Sequence, residues 1–190
     1  MDRPPVFSLE VLTDRALLND ILKGVLCTIF FHRFFSSFRP KTRDLLDLTL
    51  PSFDDQELDT LIEARVASLL RSIEASPSPS PTLARGQLAI QFYEKRPRKA
   101  SWFTKAEEKV CWEQWLLNVT IVTPRTETDR AKARRQIEDQ LQATILKIIT
   151  IAGNEKNHVP PITTNDVNPF PYTIVISQKG DTWGTRMGIF

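Results

Sequence analysis

The 190 residues carry 25 Lys and Arg against 23 Asp and Glu, a formal charge of +2, and 41% are hydrophobic. That balance fits one globular domain with a sizeable core. It excludes a disordered chain, and it excludes a global basic field that would draw the protein to nucleic acid. Two cysteines, Cys27 and Cys111, are too few for a disulfide scaffold and point to a reducing, intracellular compartment. Residues 1–6 are polar and proline-bearing, unlike a secretory leader. The longest apolar stretch, near residues 25–35, is broken by His32 and Arg33 and is too short to span a bilayer.

In chain order, Phe7, Leu9 and Val11 alternate with Ser8 and Glu10, which predicts a first strand. Thr13 or Asp14 then caps a helix reaching about Phe34. Its apolar positions Leu17, Leu18, Ile21, Leu22, Val25, Leu26, Ile29 and Phe30 recur at three- and four-residue steps. So wide a face predicts a central, buried helix in which Gly24 marks a close backbone approach and Cys27 is a buried thiol. Residues 36–44 read as loop, and Leu45 to Leu50 as a strand ended by Pro51. Asp54 and Glu57 form a capping box before a helix with Leu58, Leu61, Ile62, Val66, Leu69, Leu70 and Ile73 on one side. The tract Ser76-Pro77-Ser78-Pro79-Ser80-Pro81 supports neither helix nor sheet. Residues 75–83 are therefore a flexible loop within a single domain spanning 1–190. Ser76, Ser78 and Ser80 are more simply linker than acceptors of proline-directed phosphate.

Leu88, Ile90 and Phe92 give one face of a third strand; Trp115, Leu117, Val119 and Ile121 give one face of a fourth. Asn118-Val119-Thr120, formally a glycosylation acceptor, falls inside that strand and is set aside. A third helix runs from near Thr126, supported by Asp129, to about Ile151, and Gly153 ends it. Its apolar set is Ile137, Leu141, Ile145, Ile148 and Ile149. Its first half, with Arg130, Lys132, Arg134 and Arg135, has little to bury and projects. After a proline-broken passage, Tyr172, Ile174 and Ile176 alternate as a strand. Lys179-Gly180-Asp181 reads as a turn before a last strand at Trp183, Thr185, Met187 and Ile189. Because the third and fourth strands adjoin with no helix between them, the order predicts an α+β fold. Its sheet is mainly antiparallel and packs against three long helices.

Catalytic chemistry finds little support. His32 reads as a helix-terminal or packed residue and His158 as a solvated loop residue. Cys27 and His32 are five apart, which does not align them on a helix face. No metal-ligand spacing occurs, so no metal and no cofactor is expected. The six glycines form no phosphate cradle, and pairs such as Glu107 with Glu108 or Glu57 with Glu63 are ordinary helix-surface features. A noncatalytic protein follows.

The remaining signal is a protruding aromatic loop at about residues 95–111, with Trp102 and Phe103 adjacent among Lys95, Arg96, Arg98, Lys99 and Lys105. Three readings stay open on the residues alone. Both rings fold back onto the domain as a satellite cluster. Or residues 95–105 are a basic-aromatic platform for single-stranded nucleic acid, against which Glu94, Glu107 and Glu108 crowd the same region. Or the rings are a protein-docking finger, since Trp and Phe give large contact area with few torsions to freeze.

The stretches "VFSLEV" (6–11), "LCTIFFHR" (26–33), "FDDQELDTLI" (53–62), "GQLAIQFYEKR" (86–96), "SWFTKAEEKVCWEQWLLNVTIV" (101–122) and "TETDRAKARRQIEDQL" (126–141) together resemble the autophagy-related protein 101 family of HORMA-domain proteins, in its fungal form. The resemblance covers roughly residues 6–177. It implies a HORMA-like domain in the open, unlatched state, serving as a noncatalytic adaptor and scaffold in the kinase assembly that initiates autophagy. It implies a heterodimer with the HORMA domain of autophagy-related protein 13, which the family member stabilises. It also implies a cytoplasmic protein recruited to the preautophagosomal structure, where an exposed Trp-Phe finger draws in later factors. That finger maps onto Trp102 and Phe103. Animal members carry a proline between the two aromatics, whereas here the rings are adjacent and diverge in an extended segment. For the dimer surface, Arg130, Arg134 and Ile137 at the front of the third helix are offered, together with the edge near Leu45 to Leu50.

Overall fold

Among the described residues the order is β1 (Val6–Asp14), α1 (Leu18–Arg33), β2 (Pro40–Leu45), β3 (Leu48–Phe53), α2 (Gln56–Ala75), β4 (Leu83–Pro97), β5 (Glu107–Val122), α3 (Glu127–Asn154) and β6 (Tyr172–Ser177). The structure, a computed structural model, describes residues 3–33, 39–75, 82–97, 107–163 and 168–177. The Ser-Pro tract, Arg98, Lys99, Trp102, Phe103, Lys105 and the expected last turn and strand lie outside them.

Four strands form one sheet in the order β1-β5-β4-β6. β1 runs parallel to β5, while β4 is antiparallel to both β5 and β6. Alternation sorts the side chains as expected: Leu9, Val11, Leu88, Ile90, Phe92, Trp115, Leu117, Val119 and Ile174 point into one apolar layer and are buried. The opposite face carries a polar ladder. Gln87 donates to Asn118 (2.8 Å), and the Asn118 amide donates to Glu10 (2.7 Å) and Ser8 (3.1 Å).

The helices cover the apolar face. α1 lies at the centre, touching α2, α3, β1 and the β2–β3 hairpin. Nearly every position from Ile21 to Phe30 is buried, as its wide apolar face requires. Asp14 starts it, its carboxylate accepting from the Leu17 amide at 2.8 Å. Gly24 lets the hairpin approach: a Cβ there would stand 2.7 Å from Leu50 Cδ1 and 3.4 Å from Leu45 Cδ2. At Gly86 a Cβ would meet Ile73 and Leu69 of α2 within 2.8 Å. α3 closes the free edge of β1 with side chains instead of a strand. Thr144 and Gln140 donate to the Glu10 carbonyl (2.8 and 3.4 Å), and Lys147 donates to that of Ser8 (2.8 Å).

Several boundaries differ from the sequence pattern. Leu45 to Leu50 is not one strand: it straddles the turn of a hairpin, with Leu46 at φ 55°. Leu46, Leu48 and Leu50 alternating with Asp47 and Thr49 match one strand or two antiparallel ends equally well. Asp55, not Asp54, caps α2 by accepting from the Leu58 amide at 2.9 Å, while Asp54 pairs with Lys41 (2.6 Å). α3 starts on the capping box of Thr126 and Asp129 but runs through Gly153 to Asn154. Burial pushes the Cys27 thiol up to about 11, as its place inside α1 implies.

Candidate functional site

β4 pairs with β6 only as far as Phe92, opposite Tyr172, and β5 pairs with β1 only from Gln114, opposite Val6. Yet β4 and β5 continue together to Pro97 and Glu107. Residues 93–97 and 107–111 therefore leave the sheet as a two-stranded ribbon of about 17 Å, at about 3.4 Å per residue. The segment expected as a loop over 95–111 is thus partly ordered strand, and residues 98–106 join the ribbon's two ends.

At the ribbon's root the register shifts. Phe92 faces Glu113 and Tyr93 faces Cys111, so Trp112 is the extra residue of a β-bulge. Strict alternation would expose every second side chain, but Trp112, Glu113, Gln114 and Trp115 are all buried. The Trp112 ring centroid lies 5.7 Å from Phe92, 5.2 Å from Phe170 and 5.8 Å from His158. Phe30 continues the cluster to Phe92 (5.6 Å) and Tyr172 (4.7 Å), and Phe7 meets Trp115 at 4.9 Å. These spacings are those of favourable tilted and edge contacts.

Within the aromatics sits a charged cluster. Glu113 and Arg33 are 0% and 3% exposed. The Glu113 carboxylate accepts from Arg33 Nε at 2.9 Å to each oxygen and from Trp115 Nε1 at 2.5 Å. His158 Nε2 stands 2.7 Å from its other edge. A bare ring nitrogen there would set lone pair against lone pair, so Nε2 carries the proton. Arg33 also donates to the carbonyls of Ala152 (3.3 Å) and Glu155 (3.1 Å) at the end of α3, groups that a helix leaves without internal partners. His158 is therefore not a solvated loop residue; a carboxylate closed from water holds it. Next to Arg33, the half-buried His32 imidazole is held below its usual pKa by burial and then by the Arg33 charge. Burial raises the Cys111 thiol to about 11 and the Tyr172 hydroxyl to about 12.

The sequence-derived sites fare unevenly. Trp102, Phe103, Arg98, Lys99 and Lys105 lie outside the described residues. Lys95 and Arg96 are exposed on the ribbon; Arg96 pairs with Glu94 and stands opposite Glu108. Arg130 and Arg134 are exposed on α3, Arg130 pairing with Glu127 of its own helix at 3.4 Å. Ile137 is fully buried in the chain's own core, so it offers a partner nothing. Ile149, expected among the buried set, is 43% exposed, and Leu146 beside it is 57% exposed. At β2–β3, Leu45 and Leu50 face inward against α1.

Sequence reasoning missed Arg33, Glu113 and His158 as a unit. A signal existed: Glu113 has the same parity as the inward residues Trp115, Leu117 and Val119, and Arg33 follows inward Ile29 and Phe30 at helical spacing. Two opposite charges at inward positions require each other. Among the described residues, no group of three or more His, Cys, Asp or Glu is placed to hold a metal, and no helix is long and apolar enough to cross a membrane.

A family model described as Autophagy-related protein 101 matches residues 10–166. Similar proteins, each named Autophagy-related protein 101, include one from Arabidopsis thaliana, 28% identical over 87% of this chain and 83% of its own length. One from Schizosaccharomyces pombe is 29% identical over 88% and 84%, and one from Homo sapiens is 24% identical over 94% and 90%.

Proposed function

The chain belongs to the autophagy-related protein 101 family, and from that membership and the shape of its ribbon we propose that it is a noncatalytic adaptor of the autophagy-initiation kinase assembly. In this role it heterodimerises with the HORMA domain of autophagy-related protein 13, stabilises that partner, and recruits later factors through Trp102 and Phe103 at the preautophagosomal structure. The observation that carries the reading is the ribbon. β4 and β5 remain paired for five residues beyond both flanking strands, on a root packed with aromatic rings. A ribbon that runs beyond its flanking strands on so firm a root suits a support for anchors that reach into another protein.

For the dimer surface, the outward side of α3 gives the best support, because Leu146 and Ile149 are exposed apolar residues on a helix whose other side is firmly packed. Arg130 and Arg134 lie toward the start of α3, in line with the stripe of Ile137 and Leu141 but exposed, so they belong to a separate, charged part of the helix. Replacing Trp102 and Phe103 together by alanine is expected to leave unfolding free energy within about 0.5 kcal/mol of the parent. Heterodimer mass is expected to persist while recruitment of later factors in cells is lost. A variant that unfolds or cannot dimerise would return the rings to the chain's own interior. A mixture with the autophagy-related protein 13 HORMA domain that stays monomeric by solution mass would remove the dimer. Nucleic-acid binding through residues 95–105 would instead show a steep fall of affinity with salt.

A further inference from the structure

We propose that the buried Arg33–Glu113–His158 cluster is a positioning device that sets the angle at which the β4–β5 ribbon leaves the sheet and ties that ribbon to the C-terminal end of α3. The inference rests on the docking role given above to the ribbon's tip. It concerns a carboxylate and a guanidinium enclosed by the chain's own packing.

A two-stranded ribbon swings most easily where its ladder is interrupted, and here the interruption is at Trp112. The fixed acid, Glu113, is the very next residue. Its donors come from separate parts of the chain: Arg33 from the last turn of α1, Trp115 from β5, and His158 from the segment leading from α3 toward β6. Arg33 then spans from this carboxylate to the Ala152 and Glu155 carbonyls. A planar guanidinium can face an acid with one edge and a helix end with another, which a lysine ammonium cannot do. Apolar side chains would fill the same volume with no less stability, since burying an ion pair costs about as much as the pair returns. What the charged cluster adds is direction, because hydrogen bonds fix angles that apolar contacts leave soft. The ribbon and the outward side of α3 are thereby held as one body.

The test is amide hydrogen exchange on the full chain, comparing parent, Arg33→Lys and Glu113→Gln. Arg33→Lys keeps the charge and loses the span. Glu113→Gln keeps the volume and an acceptor, and provides a second route should the first variant fold poorly. In both, amides of residues 93–96, 107–111 and 152–159 are expected to exchange about tenfold faster or more, while those of 116–121 keep parental protection. Uniform acceleration across the sheet, or an unchanged ribbon, would overturn the proposal, since a merely structural pair changes global stability only. The Trp102→Ala, Phe103→Ala chain is measured alongside and is expected to keep parental ribbon protection. If that chain still recruits fully, the docking role falls while the exchange result for the cluster stands.

Discussion

Two parts of this molecule extend past the sheet at opposite ends, and they are secured in opposite ways. The β4–β5 ribbon rests on a root in which Trp112, Phe92, Phe170, Phe30 and a saturated carboxylate are enclosed. The front of α3 carries Arg130, Lys132, Arg134 and Arg135 into water and is started by one capping box. The difference follows from backbone chemistry. A helix satisfies its own amides and carbonyls and stays straight without help, whereas a lone pair of strands is marginal in water. A ribbon that must point somewhere needs a tertiary anchor, and a helix needs only a beginning.

This contrast can be broken by mutation. Trp112→Ala is expected to cost about 3–5 kcal/mol in urea unfolding, the range for emptying a large aromatic site; a loss below about 1 kcal/mol would make the root no firmer than the α3 front. Thr126→Ala should cost about 1 kcal/mol by removing the α3 cap, with faster exchange confined to the first turns of that helix. Acid should also act at the root. Because burial and then Arg33 hold the folded His32 below its ordinary 6.5, the unfolded chain takes up the proton first. Stability conferred by the neutral ring is therefore complete above about pH 6.5 and declines as pH falls toward the folded pKa. His32→Gln should flatten that decline in pH-dependent unfolding, and an unchanged slope would place the sensitivity elsewhere. The smallest effect belongs to Arg134→Ala with Arg135→Ala, expected within about 0.5 kcal/mol by the same unfolding measurement.

Where local periodicity decides, the sequence is legible. The apolar steps of α1 and α2, the inward rows of β4 and β5, and the Thr126–Asp129 start of α3 all appear at the residues the pattern indicates. Failures occur where one residue serves two alternatives. Leu45 to Leu50 alternates as a strand does, yet Leu46 turns the chain, because packing of Leu45 and Leu50 against Gly24 favours a hairpin. Ile149 fits the α3 stripe as well as Ile148 does; a long helix over a narrow edge strand buries a narrow stripe, so one is covered and the other is not. At the candidate site, the aromatic pair stood out by composition alone. The support beneath it did not, since Trp112 becomes inward only through a bulge, and a bulge is a property of two paired strands.

The sequence by itself determined the α+β class, the three helices, the burial parity of the central strands and the family, since each is carried by spacing or residue order along a single stretch. Only the tertiary structure decided that β1 lies parallel beside β5, that α3 closes its free edge, and that Arg33, Glu113 and His158 meet around one carboxylate. Those contacts join residues up to 139 positions apart. Local propensity carries no information at that range; burial does, because an enclosed charge or an open strand edge must find its partner wherever the chain can supply one.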